Sequence, residues 1–258
     1  MAGLLNTVVA WMIKPLRLMS RYRRFKMILG ENQLILPTSG NFDNLETLDM
    51  IFTQREYAAY FPFYQKANIL DIGAHRGYFS IFAAKNAAAA SFVLALEPES
   101  ENVNHLRKNL NLNGVENVMA EHAALHYNNV EVNLHKAASV NHSTVVETQK
   151  GLEPECQKVS GITMDALLTK YKIDRVDFLK MDCEGAEYEI FYRMSADTFR
   201  KIHVISMEFK KLKKEEYTAS RLVFCFLENG FEILRLDYLP SHRNLNYGRL
   251  IARNKSFS

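Results

Sequence analysis

From Ile69 to Ala252 short β-type runs alternate with helical segments, and two of the runs are too continuously apolar to own a solvent face. Phe92-Val93-Leu94-Ala95-Leu96 and Val204-Ile205-Ser206-Met207 read as central parallel strands buried on both sides. The other strand candidates are Ile69 to Ile72, Val118 to Ala123, Val130 to Leu134, Val176 to Met181, His203 to Glu208, Phe231 to Leu236 and Arg249 to Ala252. Helices fit between them at Gly77 to Ala90, Ser100 to Leu112, Met164 to Tyr171, Ala186 to Met194 and Tyr217 to Asn229, and Leu45 to Tyr60 reads as a helix ending at Phe61-Pro62. This rhythm predicts an α/β fold, a doubly wound, mostly parallel sheet with helices on both faces. The polar stretch Ala137 to Ser160, with Pro154, interrupts it as a long excursion of the kind that forms lids or insertions.

Open α/β sheets bind ligands at the carboxyl ends of their strands, beside the topological switch point. The turn Asp71-Ile72-Gly73-Ala74-His75-Arg76-Gly77 falls there, after the first strand of the rhythm. Its glycines are spaced G-x-x-x-G, which disfavours the G-x-G-x-x-G needed for a pyrophosphate and so weakens a nicotinamide-dependent oxidoreductase. Glu97 ends the next strand, 24 residues after Gly73, where an acid can accept both ribose hydroxyls of a nucleoside. A ribose-binding acid beside such a turn fits a nucleoside without phosphates, and S-adenosylmethionine is one. Taken singly, Asp71 with the glycines is an ordinary tight turn and Glu97 an acid near a helix start; their order and spacing favour the ligand.

At these residues the sequence resembles the FkbM family of S-adenosylmethionine-dependent methyltransferases. The resemblance rests on Ile69 to Phe79, Leu96-Glu97-Pro98, Ala123-Ala124-Leu125 and above all Phe178-Leu179-Lys180-Met181-Asp182-Cys183-Glu184-Gly185-Ala186-Glu187. It covers about residues 31 to 210, with Arg55-Glu56-Tyr57 upstream and Gly161 to Leu167 before the signature strand. It implies a Rossmann-like class I methyltransferase fold, and an acceptor such as a sugar, glycan or other natural product methylated on a hydroxyl. Asp71, Gly73, Ala74, His75, Gly77, Glu97, Glu121, His122, Ala123 and Asp182 are then the expected cofactor-binding residues, with Glu121 or His122 meeting the adenine amine. The same fold retained as a non-catalytic binding or interaction module is the alternative, disfavoured by the intact motif residues.

An alcohol is a poor nucleophile at neutral pH, so methyl transfer to it needs a base or a metal. Asp182 and Glu184 follow a central strand on the ligand-binding edge, and Glu208 ends the following one. Asp182 is expected to be the base or the chief acceptor-positioning carboxylate, supported by Glu184 and Glu208. Lys180, two residues earlier on the same strand face, is expected to pair with Asp182 or to orient the acceptor. A Mg²⁺ ion held by Asp182 and Glu208 is the variant mechanism; a structural network capping strand ends is the bland one. Glu187 reads as a helix start and Cys183 as a small packing residue. Lys210, Lys211, Lys213 and Lys214 emerge at the same edge and form either a patch for an anionic acceptor or a solvated helix start.

Composition narrows the rest. Lys14, Arg17, Arg21, Arg23, Arg24 and Lys26 give the first thirty residues a charge of +6 with no acid, so the chain's net +3 leaves the remainder at −3. Nucleic acid is not favoured as a partner, because that mildly acidic remainder lacks an aromatic-basic stripe. Residues 1 to 30 are expected to form a basic amphipathic helical segment that lies on an anionic membrane surface or packs on the domain or a second copy. Its apolar run, Leu4 to Ile13, lacks the flanks of a signal peptide and is too short to span a bilayer. Residues 31 to 258 are expected to be one methyltransferase domain, its cofactor core at about 69 to 210. Cys156, Cys183 and Cys225 show neither C-x-x-C nor an even count, which predicts a cytoplasmic protein, peripheral at the inner face of the membrane if the leader binds lipid. Oligomeric state and acceptor identity carry no sequence signal.

Overall fold

The structure, a computed structural model, describes residues 24–29, 32–37, 45–136, 143–144, 156–210, 212, 215–240 and 246–257. The proposed apolar helix at Leu4 to Ile13, most of the 137 to 160 excursion, and Lys211, Lys213 and Lys214 lie outside the described residues. The described part of the basic segment is not helical. Arg24–Leu29 is a strand, β1, paired antiparallel with β2, Asn32–Pro37.

A short helix, α1 (Leu45–Leu48), passes into a π-turn over Asp49–Thr53 and stops there, with Arg55 in the left-handed region at φ 52°. The expected helix to Tyr60 is thus cut short, and 54–67 runs as turns from which Tyr57 and Phe61 enter the core. Then come β3 (Asn68–Ile72), α2 (Tyr78–Asn86), β4 (Phe92–Glu97), α3 (Ser100–Leu112) and β5 (Val118–His122). Helix α2 ends at Asn86, since Ala87 turns extended, so the Ala87 to Ala90 run is not helical.

Next are β6 (Ala124–Leu125), β7 (Glu131–Lys136), β8 (Ser143–Thr144) and β9 (Cys156–Ile162), which form a separate four-stranded sheet in the order β6-β9-β7-β8. The end of the expected excursion is therefore a strand. The remaining elements are α4 (Met164–Tyr171), β10 (Val176–Met181), α5 (Glu187–Tyr192), α6 (Ala196–Lys201), β11 (Ile202–Lys210), α7 (Ala219–Glu228), β12 (Phe231–Pro240) and β13 (Asn246–Asn254).

The main sheet has seven strands in the order β12-β13-β11-β10-β3-β4-β5. Strands β5, β4, β3, β10 and β11 pair in parallel, and β13 lies antiparallel between β11 and β12. Alternate residues of each strand enter opposite cores. Ile69, Val93, Phe178, Val204 and Ile251 pack with Phe52, Phe61, Phe79 and Phe82 on one face, and Leu70, Leu94, Leu179, Ile205 and Ala252 with Leu167, Phe191, Leu222 and Phe226 on the other. Both faces being buried explains the continuous apolar runs, and the order reverses at β3, which places its carboxyl end at the switch point.

Candidate active site

The loop after β3 is built to lie close against its neighbours. Gly73, with φ +73°, and Ala74 both donate their N–H to the Leu96 carbonyl at 3.0 Å, while Asp182 N–H donates to Ile72 O at 3.0 Å. A Cβ on Gly73 would fall 1.8 Å from the Asp182 carbonyl oxygen, so only glycine allows this approach. His75 is itself left-handed at φ 51°, and its N–H donates to Glu97 Oε2 at 2.7 Å. Glu99 N–H donates to Glu97 Oε1 at 3.0 Å. Glu97 thereby ties two loops together. Burial pushes its carboxyl up to about 7, against the lowering by the Glu99 and His75 amides. Oε1 also accepts from Asn102 Nδ2 at 3.4 Å, while Oε2 has the one donor and a lone pair to spare, so the group can still accept a ribose hydroxyl.

Asp71 is held inside the fold beneath this loop. It is fully buried, accepts Ser80 Oγ–H at 2.6 Å and pairs with Lys180 Nζ at 3.1 Å. Asp71 and Lys180 are register partners on parallel strands, so their side chains rise from the same face as immediate neighbours. The ion pair described for Lys180, expected beside Asp182, is with Asp71, and Asp182 adds to the charge it feels. Lys180 Nζ also donates to Gly73 O at 2.7 Å, joining the ion pair to the loop above it. Burial opposes its charge, but Asp71 and then Asp182 outweigh burial and hold the ammonium protonated.

The loop after β10 is held by a residue that reads in sequence as a mere helix start. Glu187 is fully buried and accepts Cys183 N–H at 2.7 Å and Gly185 N–H at 2.9 Å. These bonds stabilise a loop in which Glu184, at φ 53°, and Gly185, at φ 108°, are both left-handed. Burial pushes Glu187 up to about 8 and the Cys183 thiol up as well.

Beside this loop the ends of β10, β11 and β13 bring Asp182, Glu184, Glu208, Lys210 and Arg249 to one edge. Lys210 Nζ lies 2.6 Å from Glu208 Oε1 and 3.3 Å from Glu184 Oε2. Burial, followed by the Asp182 charge, pushes Glu208 up to about 7, with Lys210 pulling the other way. Tyr57, fully enclosed, stacks its ring 6.0 Å from Lys180 Nζ. Among the described residues no group of three or more His, Cys, Asp and Glu is arranged to hold a metal ion.

The Methyltransferase FkbM domain family matches residues 71–238, more than half of the chain. The chain belongs to the FkbM methyltransferase family. The match starts later than the resemblance over about residues 31 to 210 suggested and runs further, into β12. No curated protein sequence matches this FkbM chain. Among solved structures, a putative transferase from Pyrococcus horikoshii covers 90% of the chain and 71% of its own length at 13% identity and a TM-score of 0.51. The TYW2 protein of M. jannaschii in complex with AdoMet covers 90% and 85% at 16% identity and 0.49. A precorrin-6y C5,15-methyltransferase from Geobacter metallireducens covers 80% and 91% at 16% identity and 0.47. At 13% identity the likeness to the Pyrococcus horikoshii structure is one of fold alone.

The third strand of this FkbM domain ends at Glu121 and His122. Glu121 is engaged by Lys170 Nζ at 2.8 Å and by the Tyr171 hydroxyl, both from α4. Partial burial raises its carboxyl, but these two hydrogen bonds outweigh burial and hold it low. Glu121 thus ties α4 to the end of β5. His122 pairs Nε2 with Pro98 O at 3.0 Å beside Glu97, and Ala123 is buried where the strand gives way to β6. No helix among the described residues is long and apolar enough to cross a membrane.

Proposed function

We propose that the protein is an S-adenosylmethionine-dependent O-methyltransferase acting on a hydroxyl of a sugar, glycan or other natural product. The single observation that carries this reading is that Asp182 and Glu208 follow the register partners Met181 and Met207 at the ends of neighbouring parallel strands, where burial and then the Asp182 charge push the Glu208 carboxyl up to about 7. A general base works best with a pKa near the operating pH. Bound S-adenosylmethionine supplies an electrophilic methyl on a sulfonium. The chain supplies the rest: Glu97 accepts a ribose hydroxyl, the Gly73 to Gly77 backbone makes room at the strand end, and Asp71 with Lys180 keeps that loop seated. Asp182 orients the acceptor hydroxyl and takes its proton as the C–O bond forms, and Glu208, raised by that same charge, shares the proton within the pair. Lys210 and Glu184 fix the position of Glu208.

The test is Asp182→Asn, which is expected to bind S-adenosylhomocysteine as wild type does by calorimetry while losing about 100-fold or more in methyl transfer from labelled cofactor to fractionated extract. Full activity in the variant would remove Asp182 from the mechanism. Cofactor binding by the wild type without transfer to any fraction would favour the non-catalytic module.

A further inference from the structure

The two segments that flank the family match, before residue 71 and after residue 238, meet at the active edge. Glu56 and Arg249 form an ion pair, Nε to Oε1 at 2.6 Å. Arg249 stands opposite Glu208 in the β11–β13 register, so the pair borders the proposed base directly. The Glu56 side chain is only 6% exposed, and neither of its oxygens makes a hydrogen bond among the described residues, although Oε1 has the guanidinium beside it. A buried carboxylate oxygen without a donor is costly, by roughly 1–3 kcal/mol, and in a native fold calls for an explanation.

The space beside it supplies one. Glu56, Tyr57, Ser206, Arg235 and Arg249, with Met207, Leu250 and Ile251, line a small cleft of about 10 Å³, room for a single water-sized group such as one hydroxyl. Ser206 lies two residues before Glu208 on the same strand, hence on the same face. Charge narrows the occupant. Arg249 already neutralises Glu56, with Lys180 and Lys210 close by, so an ammonium finds no unmatched acid. Asp182, whose charge reaches Glu56, and Glu208, opposite Arg249, disfavour a carboxylate or phosphate in the same way. A carboxylate acceptor beside a guanidinium donor matches a group that donates and accepts at once, and a hydroxyl is that group.

Building on the methyltransferase reading above, we infer that Glu56 and Arg249 bind a non-reacting hydroxyl of a neutral, polyhydroxylated methyl acceptor, so that segments outside the matched domain set acceptor specificity. The probes are methyl α-glycosides of glucose, galactose, mannose and rhamnose, titrated into protein saturated with S-adenosylhomocysteine and followed by saturation-transfer NMR. At least one is expected to bind the wild type. Glu56→Gln and Arg249→Gln should each weaken that glycoside at least tenfold while the S-adenosylhomocysteine Kd stays within twofold, and Lys170→Ala, remote from the cleft, should leave both unchanged. The unchanged cofactor Kd certifies that a variant is folded, and either of the two cleft variants alone suffices. Equal glycoside binding by a folded Glu56→Gln or Arg249→Gln overturns the inference. So does a wild type that binds S-adenosylhomocysteine but none of the four glycosides, which leaves the methyltransferase reading standing. A wild type that fails to bind S-adenosylhomocysteine sinks both.

Discussion

The Asp182 carbonyl oxygen occupies the place where a side chain on Gly73 would begin, 1.8 Å from the ideal Cβ position. Two loops from strands paired side by side, β3 and β10, are thereby packed backbone to backbone. Gly73→Ala must both hold an alanine at φ +73° and push the Asp182 loop away. The combined cost is expected to be at least about 3 kcal/mol in urea unfolding, with loss of S-adenosylhomocysteine binding. Gly77→Ala should be milder, because its Cβ would meet the Leu106 side chain, which can shift, rather than backbone. Equal tolerance of alanine at both positions would show that the two loops are not in contact.

The Asp71–Lys180 pair sits beneath that contact with side chains 0% and 6% exposed. Removing one partner leaves the other as an uncompensated buried charge. Lys180→Met is expected to cost about 3–5 kcal/mol, and adding Asp71→Asn should restore part of it. A loss below about 1 kcal/mol for Lys180→Met would mean that water reaches Asp71 and that the pair is not dry.

Glu97 predicts a pH signature. Its carboxyl rises from an ordinary 4.5 to about 7 in the fold, so the folded state binds the extra proton. The stability it contributes is present below about pH 4.5 and is lost as pH rises through about 7, at no more than about 1.4 kcal/mol per pH unit. Glutamine mimics the protonated form. Glu97→Gln should therefore gain stability relative to wild type between pH 5 and 7.5, measured by denaturant unfolding at each pH, even though it loses ribose binding. Parallel pH profiles for the two proteins would place the Glu97 pKa at its ordinary value.

What could be read from sequence was what depends on neighbours along the chain. The strand, turn and helix from Ile69 to Phe79 reside in one short stretch, and the double-sided burial of Phe92 to Leu96 is written in its composition. Lys180 shows where this fails. Its spacing from Asp182 is visible, but its closer neighbour is Asp71, placed there by the pairing of two strands far apart in sequence. The Glu121 contacts with α4 are hidden for the same reason, since which helix covers β5 is a tertiary fact. Glu187 looked like a helix start because nothing local announces that its side chain folds back onto Cys183 and Gly185. The Glu56–Arg249 pair needs both flanks of the domain at once, and β1 was hidden by the cations that surround it.

The antiparallel strand between β11 and β12 also orders events during synthesis. A ribosome emits β3, β4, β5, β10 and β11 in turn, and each can join the growing sheet as it emerges. Strand β12 cannot, because its place is one position further out and is reached only through β13. Until residue 254 has been made, the outer edge of β11 is open and Glu208 lacks its Arg249 neighbour. The cofactor half of the protein can take shape early, whereas the acceptor edge is assembled last. A nascent chain stalled after Lys210 would present an apolar, unpaired strand edge, which makes that stretch of translation the point at which this enzyme most needs protection from aggregation.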